Sequence, residues 1–80
     1  MYYVYLIQSI NYPKQIYIGS TSNLRERMVT HNSGGSLYTK AYKPWTLIMY
    51  LWFENKLKAT AFEKYLKSGS GSAFAKRRLW

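Results

Sequence analysis

The chain has 80 residues, 48% of them apolar, which suits one folded domain with a single modest core rather than a disordered tail. Its 12 Lys and Arg against 3 Asp and Glu give a formal net charge of +9, the signature of a polyanionic partner such as nucleic acid; no apolar run approaches the roughly 20 residues of a membrane span. With no cysteine and one histidine, disulfide frameworks, thiolate zinc sites and histidine-rich metal sites are excluded, and the composition fits a reducing cytoplasm.

Tyr2 to Gln8 is rich in β-branched and aromatic residues and reads as a strand. The opening M-Y-Y-V-Y-L-I is short, with no basic leader and no small-residue cleavage site, so no signal peptide is expected. Asn11-Tyr12-Pro13-Lys14 carries turn chemistry, and Gln15 to Ser20 reads as a second strand pairing with the first as an antiparallel hairpin. Gly19 at the strand end suits a tight exit or a close backbone approach.

A helix follows, capped by Ser22 or Asn23; with Asn23 as the cap, Glu26 stands at its third position. Leu24, Arg27, Met28 and His31 then fall at i, i+3, i+4 and i+7, a core-facing stripe broken by a cation and a titratable ring. The helix ends between Asn32 and Gly35. Leu37 to Pro44 is a basic, aromatic connector. Trp45 to Phe53 is a near-continuous apolar run, predicting a third strand that is central and buried on both faces.

Glu54-Asn55 leads into a second helix from Lys56 to about Ser68, whose stripe of Ala59, Phe62, Glu63 and Leu66 again contains a charge. Ser68-Gly69-Ser70-Gly71-Ser72 reads as a flexible link to a last short helix over A-F-A-K-R-R-L-W. All of this forms one domain over residues 1–80, without internal repeats.

Each of the 3 carboxylates has a different setting. Glu26 is explained by the first helical turn, and Glu54 by a capping role at the second helix. Glu63 lies on a packed stripe, where an unpaired carboxylate is costly; it is either a core-edge salt bridge or a metal ligand or acid at a cleft. Arg27 either runs its stem along the core or offers its planar fork to a phosphate. His31 is either a packed, hydrogen-bonded residue or a catalyst. Tyr3 and Tyr5 share one strand face, and Tyr2 and Val4 the other. A tyrosine such as Tyr5 or Tyr17 is a poor base at neutral pH unless a cation or metal depresses its pKa. Lys40, Lys43, Lys67, Lys76, Arg77 and Arg78, interleaved with aromatics, suit phosphate contact and base stacking.

Taken in order, Tyr3-Val4-Tyr5, Tyr17-Ile18-Gly19, Arg27 and His31 on a helix, and Glu63 on a later helix resemble the GIY-YIG nuclease superfamily. That group includes homing endonucleases and the N-terminal nuclease domain of a bacterial excision-repair protein. The resemblance is greatest to its small single-domain bacterial members, through Y-T-K, K-P-W-x-L and E-K-x-L-K-S-G. The first motif lacks its glycine, no asparagine follows Asn55, and Ser72 stands where small relatives often carry a basic residue.

The resemblance implies an α/β sandwich of α+β type: a three-stranded antiparallel sheet flanked by helices in the order β-β-α-β-α-α. It implies a metal-dependent endonuclease acting on DNA phosphodiester bonds, structure-selective or weakly specific, with a role in DNA repair or recombination. Tyr5, Tyr17, Arg27, His31 and Glu63 are the implied catalytic residues, and Glu63 the ligand of one Mg²⁺ or Mn²⁺. DNA is the implied partner, with RNA left open. Eighty residues leave no room for a separate specificity domain, so sequence-specific cutting by the isolated chain is not expected; one alternative is a nuclease that acts only when fused to or complexed with a protein partner that chooses the target. The alternative is a catalytically inactive nucleic-acid-binding module built on the basic residues. On the nuclease reading, Arg27 and Glu63 face each other across a cleft.

Overall fold

The branched and aromatic residues at the start of the chain form strand β1 (Tyr2–Ser9), which folds back on β2 (Ile16–Thr21) as an antiparallel hairpin. The computed structural model describes residues 1–79; Trp80, the end of the predicted last helix, lies outside the described residues. Helix α1 (Leu24–Ser33), a 3₁₀ turn (Lys40–Tyr42), strand β3 (Trp45–Phe53) and helices α2 (Lys56–Lys67) and α3 (Gly69–Arg78) complete the predicted order. None of these helices is long and apolar enough to cross a membrane.

Strand β3, expected at the centre of the sheet, is an edge strand: the order is β2-β1-β3. The centre belongs to β1, where the consecutive residues Val4, Tyr5, Leu6 and Ile7 are all fully buried. Burial along β3 alternates instead, because only one side of each residue pair has a helix to cover it. A continuous apolar run does not by itself distinguish a strand buried on both faces from one that exposes large apolar side chains.

The two faces of β1 feed separate cores. Val4 and Leu6 pack with Ala59 and Leu66 of α2 and Ala75 of α3. Tyr5, Ile7 and Trp45 pack on the other side with Leu24 and Met28 of α1 and with Tyr42. Each such fully buried large aliphatic side chain contributes about 1.5–3 kcal/mol. The pairing of β1 with β3 jumps from Leu6–Met49 to Ile7–Leu47. This irregularity lets Leu47 serve the α1 core while Met49 serves the α2 core.

Local chemistry sets the helix ends. Asn23 caps α1, its side chain accepting from the Glu26 amide at 3.0 Å, and Gly34 closes it at φ 85°. At α2 the cap is Asn55 rather than the expected Glu54: its Oδ1 accepts from the Leu57 and Lys58 amides. The short amide side chain sits directly at the first orphan N–H groups, and Glu54 lies one residue too early.

The Gly/Ser stretch is also not the flexible link that its composition implies. Ser68 caps α3, its Oγ accepting from the Gly71 amide at 3.2 Å, so residues from Gly69 onward are helical. Gly71 is buried against the end of α2, where an added Cβ would overlap the Tyr65 carbonyl and stand 2.9 Å from Leu66 Cα. Gly69 has open space around it. Gly71→Ala is therefore expected to destabilise the fold by about 1–3 kcal/mol or more through overpacking, whereas Gly69→Ala is neutral or slightly stabilising. Urea denaturation of the two variants checks this; equal stabilities would contradict the close helix contact.

Candidate active site

Strand β2 forms an outer edge of the sheet, with α1 on one face and α2 on the other, so side chains from both helices reach its rim. Strand alternation divides its residues: Tyr17 and Gly19 look toward α1, Ser20 toward α2. Gly19 pairs with Tyr5, and a Cβ on Gly19 would lie 2.7 Å from Tyr5 Cζ. The close approach expected at this glycine is thus made by the ring of Tyr5.

Beneath Gly19 runs a buried hydrogen-bond chain. Tyr5 Oη and His31 Nε2 are 2.7 Å apart, and His31 Nδ1 and Thr39 Oγ1 are also 2.7 Å apart. All three residues are 0% exposed. Burial pushes the Tyr5 hydroxyl far above its usual range, Tyr17 and Glu63 push the same way, and Arg27 opposes them. Burial and the nearby Arg27 charge push His31 below its usual value. Both are neutral at neutral pH. Either Tyr5 donates to His31 and the ring donates to Thr39, or Thr39 donates to His31 and the ring donates to Tyr5. The second arrangement leaves the Tyr5 proton free to bond elsewhere.

Tyr17 lies over this chain, its ring centroid 5.2 Å from His31 edge-on and 6.4 Å from Tyr5. Unlike Tyr5 it is only half-buried and reaches solvent. From the opposite face, Glu63 of α2 accepts from Ser20 Oγ at 2.6 Å through one carboxylate oxygen and from Lys67 Nζ at 2.9 Å through the other. The Lys67 ammonium also stands 5.6 Å from the centroid of the Tyr17 ring. Burial pushes Glu63 up, but bonds from Ser20 and Lys67 and the charges of Lys67 and Arg27 outweigh it, holding the carboxyl below its usual range.

Arg27 is exposed at the same rim, lining a groove of about 210 Å³ with Ser20, Thr21 and, from α2, Ala59 and Thr60. Its charge bears on Tyr5, His31 and Glu63 alike. The two interrupted stripes therefore meet, and Tyr5, Tyr17, Arg27, His31 and Glu63 form one constellation. Of the six basic residues singled out in the sequence, only Lys67 joins it. Lys40 opens the 3₁₀ turn and Lys43 follows it, both beside Gly34, and Lys76, Arg77 and Arg78 form the last turn of α3. Ser20 and Thr39 were not anticipated. Alternation from Gly19 points Ser20 toward α2, a usable signal; Thr39 has none, because a loop brings it to His31.

The geometry makes the acid sensitivity of this core specific. His31 is depressed in the folded state from 6.5, so the unfolded chain binds the extra proton first and stability is lost as pH falls below that value. Urea denaturation at a series of pH values is expected to show this loss as pH falls below 6.5, and His31→Gln should flatten that part of the curve. A parallel curve for the variant would contradict it. At the rim, Lys67→Met removes a hydrogen bond and a charge from Glu63 and should raise its pKa, read by carboxyl ¹³C NMR titration; an unmoved pKa would mean the contact is not held in solution.

Residues 1–78 match the GIY-YIG catalytic domain family. A UPF0213 protein of Clostridium perfringens is 38% identical over 68 residues, covering 84% of this chain and 71% of that protein. The structure-specific endonuclease subunit SLX1 of Debaryomyces hansenii is 40% identical over 73 residues, and there 82% of this chain spans 21% of that protein. The solution NMR structure of a UPF0213 protein from Bacillus halodurans superposes with a TM-score of 0.57 at 26% identity, covering 99% of this chain and 87% of that one. By its matched residues, its strand and helix order and the constellation at the rim of β2, the chain belongs to the GIY-YIG family.

Proposed function

We propose that this domain is a divalent-metal-dependent endonuclease that hydrolyses DNA phosphodiester bonds at the rim of β2. The observation that carries the reading is the convergence of Arg27 and Glu63, from helices on opposite faces of the sheet, at the Ser20 rim of β2. Membership of the GIY-YIG family supports it, as does the likeness to SLX1 proteins described as structure-specific endonuclease subunits.

Glu63 fits the role of metal ligand: its carboxylate is ionised, partly open, and already attracts an ammonium, so the place favours a cation. Among the described residues no group of three or more His, Asp or Glu exists, so water and phosphate oxygens would complete the shell. One Mg²⁺ or Mn²⁺ held by Glu63 would polarise the scissile phosphoryl group. Arg27 offers its planar fork to the non-bridging oxygens and stabilises charge gained in the transition state. Tyr17, the tyrosine that reaches solvent, orients the attacking water. Tyr5 and His31 lie behind it and act as positioning residues, holding Tyr17 and the β2 backbone. Target choice rests on DNA shape, or on a protein partner, in a repair or recombination setting.

The test is cleavage of labelled duplex, flap and single-stranded DNA in Mg²⁺ or Mn²⁺. Glu63→Gln and Arg27→Ala should each lose at least about 100-fold in rate, while Glu63→Gln still binds DNA without metal. Parental rates in both variants would remove the assignment. A parent that binds but never cuts would instead support the inactive binding module.

A further inference from the structure

The sheet carries an aromatic surface next to this rim that the catalytic arrangement does not use. On the face covered by α1, register places Tyr50 opposite Tyr5 and Trp52 opposite Tyr3. Helix α1 packs over the Tyr5–Ile7 half of that face, through Leu24 and Met28, and leaves the Tyr3 end open. Tyr50 is 51% and Trp52 53% exposed. The Tyr3 and Tyr50 rings meet edge-on with centroids 5.7 Å apart, so each restrains the other.

A groove of about 510 Å³ opens beside these rings, with Ser22, Asn23 and Arg25 in its lining and no carboxylate. Ser22 and Asn23 also line the opening around Arg27, where Glu26 is the one carboxylate in the lining, so the aromatic surface and the candidate active site are continuous. What occupies such a surface is constrained by charge. A second copy of this chain brings +9 against +9, whereas a nucleic-acid strand brings phosphates toward Arg25 and Arg27. A duplex hides the faces of its bases in the stack, and only unpaired bases present them to aromatic side chains.

We propose that Tyr3, Tyr50 and Trp52 are a stacking platform for one or two unpaired nucleobases flanking the phosphate held at Arg27. This rests on the nucleic-acid reading of the rim and sharpens it: the preferred substrate has a single-stranded stretch beside the cut. Backbone phosphate contacts at Arg25 and Arg27 serve any strand, and the platform discriminates paired from unpaired bases.

The test is fluorescence anisotropy without divalent metal, so that cleavage plays no part, using a labelled single-stranded oligonucleotide and the matching blunt duplex. In the Tyr50→Ala/Trp52→Ala variant, affinity for the single strand should fall roughly 10-fold or more while affinity for the duplex changes less than about twofold. Trp52→Phe should restore most of the loss relative to Trp52→Ala. Equal losses on both probes, or no loss on either, would overturn the platform. So would a parental dimer, seen by sedimentation, that the double variant abolishes. Failure of the nuclease reading registers separately, in Glu63→Gln and Arg27→Ala variants that still cut; a parent that binds neither probe would sink both.

Discussion

The hydrogen-bond chain from Thr39 through His31 to Tyr5 is the constraint on which the rest of this small molecule depends. It joins the loop before β3, the last turn of α1 and the central strand, inside a core that water does not reach. Each bond has a net worth of only about 0.5–1.5 kcal/mol, but leaving one of these buried groups unmade costs about 1–3 kcal/mol. The chain therefore acts less as glue than as a restriction on rotation. With His31 pinned, α1 cannot turn about its axis, and Arg27, one turn earlier, is delivered to the rim of β2. The same loop is held from the other side by Trp45, whose Nε1 donates to the Thr39 carbonyl at 2.8 Å, and by Asn32, which grips the Trp45 backbone.

The rim reverses this logic. The Glu63–Lys67 pair is an i,i+4 contact with Lys67 about half exposed, and exposed pairs of this kind contribute about 0–1 kcal/mol. Such a pair does little for stability. It does help keep the carboxylate ionised at the rim, where Ser20 also donates to it, while leaving its partner free to move at small cost. A rigid, neutral, buried dyad and a loose, charged, half-open pair stand on either side of the same strand, and Gly19 lets the dyad approach that strand from within. The division suits a site where positioning comes from the core and charge from the rim.

Much of the fold was readable because its signals are local. Strands, helices and the caps at Asn23 and Gly34 follow from periodicity and turn chemistry within a few residues. The misreadings share one cause: they concern which neighbour an element meets. The apolar run of β3 looks the same whether helices cover both faces fully or only part of each, and its exposed Tyr50 and Trp52 are what separate the cases. Gly71 in a Gly/Ser stretch looks like a hinge, yet its missing side chain serves helix packing. Glu54 and Asn55 are adjacent, and only the path of the chain decides which amide or carboxylate meets the first turn of α2.

By itself the amino-acid sequence determined the element order, the basic character and the presence of two apolar stripes each broken by a charge, since these depend on side-chain type and spacing alone. It also pointed, through the order of its motifs, to Tyr5, Tyr17, Arg27, His31 and Glu63. Only the tertiary structure decided that the two breaks meet, that Tyr17 and not Tyr5 faces solvent, and that Ser20, Thr39 and Lys67 complete the surroundings. The reason is sheet geometry. A two-residue period assigns a side chain to a face, but which strand lies at the edge, and how far a helix reaches around it, is set by long-range packing that no local pattern encodes.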